Sequence, residues 1–246
     1  MSGTARVLAI LDLFSHQRSS WSPDEINETL QYSRPTGYRY VKELVAAGLL
    51  QKTSAGRYSL GPRIIRLDYE IRQSDPVLFA SMNVMAELAA RTRLTAVLSA
   101  MYGHQLIDIH HAPATTDLLP FPYARGRPRP LFRGAAPKVI LPLLSRATLV
   151  RIYDAFSDEI ASSGMGRTWG EFRKRLSKIK KERFYLSIGE VEPQVAGAAV
   201  PVVNAEGDVI AALALAGSVA DFEKIGMEAI REMLPIAGEE VSAQLP

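Results

Sequence analysis

The stretch SPDEINETLQYSRPTGYRYVKELVAAGLL, residues 22–50, restricts the fold more than any other part of the chain. It holds two helical patterns joined by only three residues. Ser22 suits an N-cap, Pro23 the first helical position, and Glu25 closes a capping box. Ile26 and Leu30 give this short helix its apolar stripe. Gln31-Tyr32-Ser33 makes the turn, with Ser33 placed to cap the next helix. That helix runs from about Arg34 to Ala47 and is stopped by Gly48 in the C′ position. Tyr40, Val41, Leu44 and Val45 recur three or four residues apart and form its inward face. Arg34, Thr36, Tyr38, Arg39 and Lys42 fall largely off that face, and four of the five crowd its first turn and a half.

The flanking segments complete a pattern. Upstream, Val7, Leu8, Leu11 and Phe14 repeat with helical spacing. Downstream, LLQKTSAGRYSL reads as a β-hairpin with Lys52 and Arg57 near its tip. Three helices followed by a two-stranded ribbon make a winged helix-turn-helix. Its second partner helix would project a basic turn into a DNA major groove, where Arg pairs with guanine edges and exposed helix N–H groups favour phosphate. The expected DNA contacts are Arg34, Thr36, Tyr38, Arg39 and Lys42 on the helix, and Lys52 and Arg57 on the wing. A metabolite-binding signalling protein whose N-terminal domain docks another protein fits the same pattern, so both readings stand at this point.

Charge separates the head from the body. Residues 1–74 carry 10 Lys/Arg and 7 Asp/Glu, whereas residues 75–246 carry 19 of each. All the net positive charge lies in the first third, as a polyanion-binding head on a neutral body would have it. The expected divisions are a winged helix-turn-helix over 1–61, a linker helix over 62–74, and a larger domain over 75–246. The chain lacks cysteine, so disulfides and thiolate metal sites are excluded. Val7 to Phe14 is interrupted by Asp12 and lacks a signal-peptide cleavage pattern. The run VIAALALAG is far too short to span a bilayer. A cytoplasmic protein is the expectation.

Residues 75–246 alternate helix and strand patterns, as an α+β domain with helices flanking an antiparallel sheet would. LTAVLSAMY and QLIDIHH flank a turn at Gly103-His104. AGAAVPVV and VIAALALAG flank another at Gly207. Thr168 and Glu171 open a helix whose apolar stripe is Phe172, Leu176 and Ile179. DFEKIGMEAIREMLPIAGEEVSAQL reads as one terminal helix. Asp108 and His110 would share a strand face, but no second cluster completes a metal site. The chain has no Walker loop, nucleophile elbow or dinucleotide fingerprint. No enzyme activity, metal or cofactor is expected.

Several stretches in order carry a family likeness: RVLAILDLF, RPTGYRYVKELVAAGLL, GRYSLGPRIIRL with its Tyr-x-Leu-Gly, GRPRPLFRGAAPKVILPLL, and VAGAAVPVVNAEGDVIAALALAGSV. The chain thereby resembles the IclR-type bacterial transcriptional regulators along nearly its whole length. It departs from their pattern at Gly37, where an apolar residue is usual, and at Ala214 and Ala216, where Ser is frequent. The resemblance implies a GAF-like α+β effector-binding domain and homodimers or homotetramers, with the first helix and the linker helix helping to make the dimer. It also implies an effector pocket lined by the Pro-, aromatic- and Arg-rich segment TTDLLPFPYARGRPRPLFRG and the strands behind it. The candidate effector contacts are Tyr123, Arg127, Phe132, Arg133, Ser187, Val200, Val202, Ala214 and Ala216. An Arg there can form a bidentate pair with a carboxylate, and two alanines leave room for an apolar group, so an aromatic or short organic acid is the expected effector.

Overall fold

A computed structural model describes residues 2–113 and 125–245. The chain packs as two compact units, Met1–Asp75 and Pro76–Pro246. The first unit opens with α1 (Gly3–Leu8) and a single 3₁₀ turn over Leu11–Leu13. The helical repeat read through Phe14 is therefore broken after Leu8, and Leu8 is 49% exposed. Next come α2 (Pro23–Leu30) and α3 (Arg34–Ala46). The capping box of α2 forms in full: the Ser22 N–H donates to the Glu25 carboxylate at 2.7 Å, and the Glu25 N–H to the Ser22 hydroxyl at 3.3 Å. Ser33 differs from expectation. It occupies the N-cap position of α3, but its hydroxyl donates to Thr36 Oγ1 at 2.8 Å and accepts no backbone N–H.

At the far end of α3 the sequence reading holds in detail. Gly48 sits at φ +72°, the Gly48 N–H donates to the Val45 carbonyl, and the Leu49 N–H reaches back to the Leu44 carbonyl. This is a Schellman stop, which needs a residue free to enter the left-handed region. The wing follows as β1 (Leu50–Lys52) and β2 (Tyr58–Leu60), paired antiparallel from Leu50↔Leu60 to Lys52↔Tyr58. Trp21 bridges to Tyr58 and so adds a third segment to the ribbon. Ile10, Trp21, Ile26, Tyr40, Val41, Leu44 and Leu50 form the core. Fully burying residues of this size is worth about 1.5–3 kcal/mol each. Helix α4 (Pro62–Ser74) ends the unit and buries none of its residues.

The second unit is a six-stranded antiparallel sheet between two helical layers. After α5 (Pro76–Thr92) come β3 (Thr95–Tyr102), β4 (Gln105–Ala112) and the short β5 (Pro128–Arg129). Helices α6 (Ala135–Ile140), α7 (Arg146–Ser162) and α8 (Trp169–Glu182) follow. Then come β6 (Tyr185–Ile188), β7 (Val195–Val203), β8 (Val209–Ser218), α9 (Val219–Ile225) and α10 (Met227–Ser242). The strand order is β5-β4-β3-β8-β7-β6. Ala211, Leu213 and Leu215 of β8 join the core under α5, α9 and α10. Ala212, Ala214 and Ala216 join the core under α6, α7 and α8. Burial on both faces explains the unbroken apolar run of β8. The terminal segment is two helices rather than one, because Gly226 at φ +90° turns the chain between α9 and α10.

Candidate functional site

In the first unit, α3 turns two chemistries to opposite sides. Tyr40, Val41 and Leu44 are buried against α1, α2 and β1. Val45 is not part of that face as expected: it is 36% exposed and lines an open groove of about 550 Å³ between α3 and the wing. Tyr38, Arg39 and Lys42 line the same groove, together with Pro23, Val41 and Tyr58. Arg34, Tyr38, Arg39 and Lys42 are exposed, and Thr36 is half-buried with its hydroxyl engaged by Ser33. Asp24, in the first turn of α2, holds two of these side chains. Arg34 Nε lies 3.3 Å from one of its carboxylate oxygens, and the Tyr38 hydroxyl donates to the same oxygen at 3.3 Å.

The wing residues part company. Lys52 is exposed. Arg57 turns back onto the scaffold: its guanidinium donates to the Ser20 carbonyl at 2.7 Å and the Ser20 hydroxyl at 3.0 Å, and pairs with Glu25 at 2.9 Å. Arg18 pairs with the same Glu25 at 2.7 Å and lies 3.4 Å over the Trp21 ring. Arg57 thus ties the wing to the start of α2, with its side chain 34% exposed. The donated Ser22 N–H, then Arg57, Ser22 and Arg18, hold the Glu25 carboxyl down at about 2.

In the second unit, a small cavity of about 40 Å³ lies between the sheet and the start of α6. Arg133, Ser187, Ala214 and Ala216 line it, joined by Ser99, Asp108, Arg129, Gly134, Ala135 and Pro137. The remaining candidates are placed elsewhere. Val200 and Val202 face α5 and α10, because β7 pairs Val200 with Leu213 and not with Ala214. Phe132 is sealed in an aromatic group with Phe156 and Phe172, at centroid distances of 6.0 and 6.4 Å. Arg127 is off the lining, and its carbonyl accepts from the Asp108 N–H at 3.3 Å. Tyr123 lies outside the described residues.

Two buried polar groups organise this region: Asp108, weighed from the sequence only as a metal ligand, and Lys138, which carried no sequence signal. Asp108 is 1% exposed; Ser99 donates to its Oδ1 at 2.7 Å, and Arg129 Nε stands 3.5 Å from its Oδ2. Burial pushes the Asp108 carboxyl up, and Arg129 and Ser99 only partly oppose this. A bulge between Leu98 and Ser99 sets the local register, and bulges commonly re-aim side chains at sites. Lys138, at 4% exposed, sits under the cavity wall with Glu190 Oε2 at 2.6 Å and the Tyr185 hydroxyl at 3.1 Å. Glu190 also accepts the Gly134 N–H at 3.0 Å, which fixes the loop that opens α6. The only sequence signal for Asp108 was a carboxylate inside an apolar strand. Lys138 and Glu190 are too far apart in the chain to be paired by pattern. Among the described residues, no cluster of three or more His, Asp or Glu could hold a metal ion.

Comparison with known proteins places both units. The family model described as "Bacterial transcriptional regulator IclR C-terminal" matches residues 72–243, and that of the "IclR helix-turn-helix domain" matches residues 3–54. The chain is 26% identical to the HTH-type transcriptional regulator XynR of Escherichia coli, covering 98% of this chain and 95% of the relative. It is 25% identical to the p-hydroxybenzoate hydroxylase transcriptional activator of Acinetobacter baylyi, covering 87% and 80%. The crystal structure of an IclR homolog from Microbacterium hydrocarbonoxydans complexed with 4-hydroxybenzoate shares the fold, at a TM-score of 0.77, 20% identity and 99% coverage of both chains.

Proposed function

The chain belongs to the IclR family of bacterial transcriptional regulators, and on that premise we propose that its head reads operator DNA while its sheet domain answers to a small organic acid. One observation carries the first half: the start of α3 keeps Arg34, Tyr38, Arg39 and Lys42 in solvent while its other side is buried. A helix so held presents donors to base edges without spending its packing face. Arg39 and Lys42 reach bases or phosphates directly. Arg34 and Tyr38 exchange Asp24 for DNA. Lys52 adds a phosphate contact from the wing. In vitro selection of bound duplexes would give the operator, and a selected pool with no enriched sequence would count against this reading.

For the effector, Arg133 is the exposed cation on the cavity wall, and Ser187 and the alanines line its interior. A carboxylate on Arg133 gains a charge-assisted, bidentate bond. A water needs roughly 10–15 Å³ of such space, so the cavity as it stands suits a short acid, and an aromatic one requires it to widen. The 4-hydroxybenzoate held by one structural relative, and another relative's role as activator of p-hydroxybenzoate hydroxylase, favour the aromatic class. Calorimetric titration with a panel of short and aromatic acids decides between them. Binding of another chemical class, with no acid binding, contradicts the proposal.

Two heads are needed for a two-fold DNA site. Helix α4 leaves Ile65 75% exposed, with Leu67, Tyr69 and Ile71 also in solvent, and α1 leaves Leu8 there. These residues cover one another in a homodimer, which also joins the heads to α4. The acid changes operator affinity only if it binds one arrangement of the dimer more tightly than the other. A chromosomal operator places the protein in the cytoplasm.

A further inference from the structure

Residues 167–183 carry eight Lys/Arg and two Glu, whereas the rest of residues 76–246 carry 11 Lys/Arg and 16 Asp/Glu. The charge of the second unit is therefore nearly balanced in sum and sharply uneven in place. Helix α8 buries Phe172, Leu176 and Ile179. Lys174, Lys178 and Lys181 follow at i, i+4 and i+7 on the opposite side, all exposed. Arg167, Lys174, Arg175 and Lys178 line an open groove of about 830 Å³ with Ala161, Gly164, Gly166 and Glu171. None of the eight cations has a carboxylate within 4.0 Å among the described residues, and Arg173 meets only the Trp169 ring, at 5.9 Å. Like charges at i, i+4 repel one another, so the row opposes helix formation and has no compensating ion pair among the described residues.

We propose that this face of α8 is a second, sequence-independent contact with the phosphate backbone of duplex DNA flanking the operator. Its chemistry selects DNA over a protein. No large apolar side chain of α8 is exposed. Protein interfaces are centred on buried aromatic or aliphatic anchors and are depleted in Lys. Phosphate contacts need only mobile positive charge and carry no sequence information. The contact adds affinity and salt dependence and leaves base discrimination to α3. It rests on the DNA-binding reading of the head, but it uses different residues and a different length of DNA.

The test is operator affinity of the full chain as a function of salt, on a minimal operator and on the same operator extended by flanking duplex. The variant is Lys174→Gln/Lys178→Gln/Lys181→Gln. The wild type is expected to bind the extended fragment more tightly, with a log–log salt slope steeper by about 2–3, since each neutralised phosphate contributes about 0.9. The triple variant should lose that increment and keep its affinity for the minimal operator. Identical slopes for variant and wild type on the extended fragment overturn the proposal. So does equal weakening by a charge-matched control, Arg91→Gln/Arg146→Gln/Arg151→Gln, which marks total charge as the cause. A triple variant with unaltered DNA binding but lost regulation in cells assigns the face to a protein instead, and also overturns it. Loss of all minimal-operator binding by the wild type is a failure of the head alone. In that case elution from immobilised duplex DNA decides, with the wild type eluting at higher salt than the triple variant if the proposal holds and at the same salt if it does not.

Discussion

A β-carbon on Gly37 would stand 1.5 Å from Oδ1 of Asn27, so α2 and α3 meet through a glycine. Asn27 fills the space that an apolar side chain at position 37 would take, and among the described residues neither its Oδ1 nor its Nδ2 finds a hydrogen bond. Gly37→Ala gains about 1 kcal/mol in helix propensity but overpacks this contact, at about 1–3 kcal/mol. The net effect is a loss. Asn27→Ala/Gly37→Ala removes both the clash and the buried amide, whose burial costs about 1–3 kcal/mol. The double variant should equal or exceed the wild type. Amide exchange rates across α3 report this locally: faster in the single variant, restored or slower in the double.

Arg57 and Lys52 sit on the same wing and should behave oppositely. Arg57→Ala unties Ser20 and Glu25 and is expected to lower the thermal midpoint of the head. Lys52→Ala leaves stability unchanged and reduces the salt slope of DNA binding by about 1. Calorimetric melting and salt-dependent anisotropy of the two variants separate these roles.

Glu25 makes the head sensitive to acid. Its carboxyl is held at about 2, below its ordinary 4.5, chiefly by the donated Ser22 N–H. A depressed folded value means the ionised form favours the folded state. That contribution is complete above about 4.5 and fades as pH falls toward about 2. Glu25→Gln is expected to lower stability at neutral pH and to flatten the loss between those two values, as seen in circular dichroism melts at stepped pH.

Lys138 and Glu190 form an ion pair at 2.6 Å with the lysine buried. Removing one partner of such a pair costs about 3–5 kcal/mol, because the other is left uncompensated. Lys138→Met should destabilise the sheet domain by less than that, because Glu190 is 25% exposed and keeps the Gly134 N–H and the Tyr185 hydroxyl, while Lys138→Met/Glu190→Gln recovers part of the loss. Urea unfolding of the two variants measures the difference.

How much of this was legible depended on whether a residue announced its surroundings. The capping box at Ser22 and the Gly48 stop are local chemistry, and both form as the sequence implies. The strands around Gly103 and Gly207 were equally clear from their turns. Val200 and Val202 were assigned to the wrong face because β7 is apolar on both sides. Parity along such a strand has no polar marker, and a shift of one residue reverses every side chain. The break at Gly226 was hidden because the apolar spacing continues through it. The tether of Arg57 to Ser20 and Glu25 has no local signal, because those partners lie more than thirty residues upstream.

The central claim is that α3 is held by its buried side so that its basic first turns meet DNA. Arg39 tests it most directly, since it is exposed, with a loose i, i+4 contact to Glu43 at 3.9 Å and its guanidinium 5.3 Å from the Tyr40 ring centre. Operator binding by Arg39→Ala, measured in gel shifts at physiological salt beside its melting curve, should fall by about 10-fold or more, as loss of a base contact of 1–3 kcal/mol requires, with the melting curve unchanged. Operator affinity equal to that of the wild type would contradict the placement of this helix in the groove.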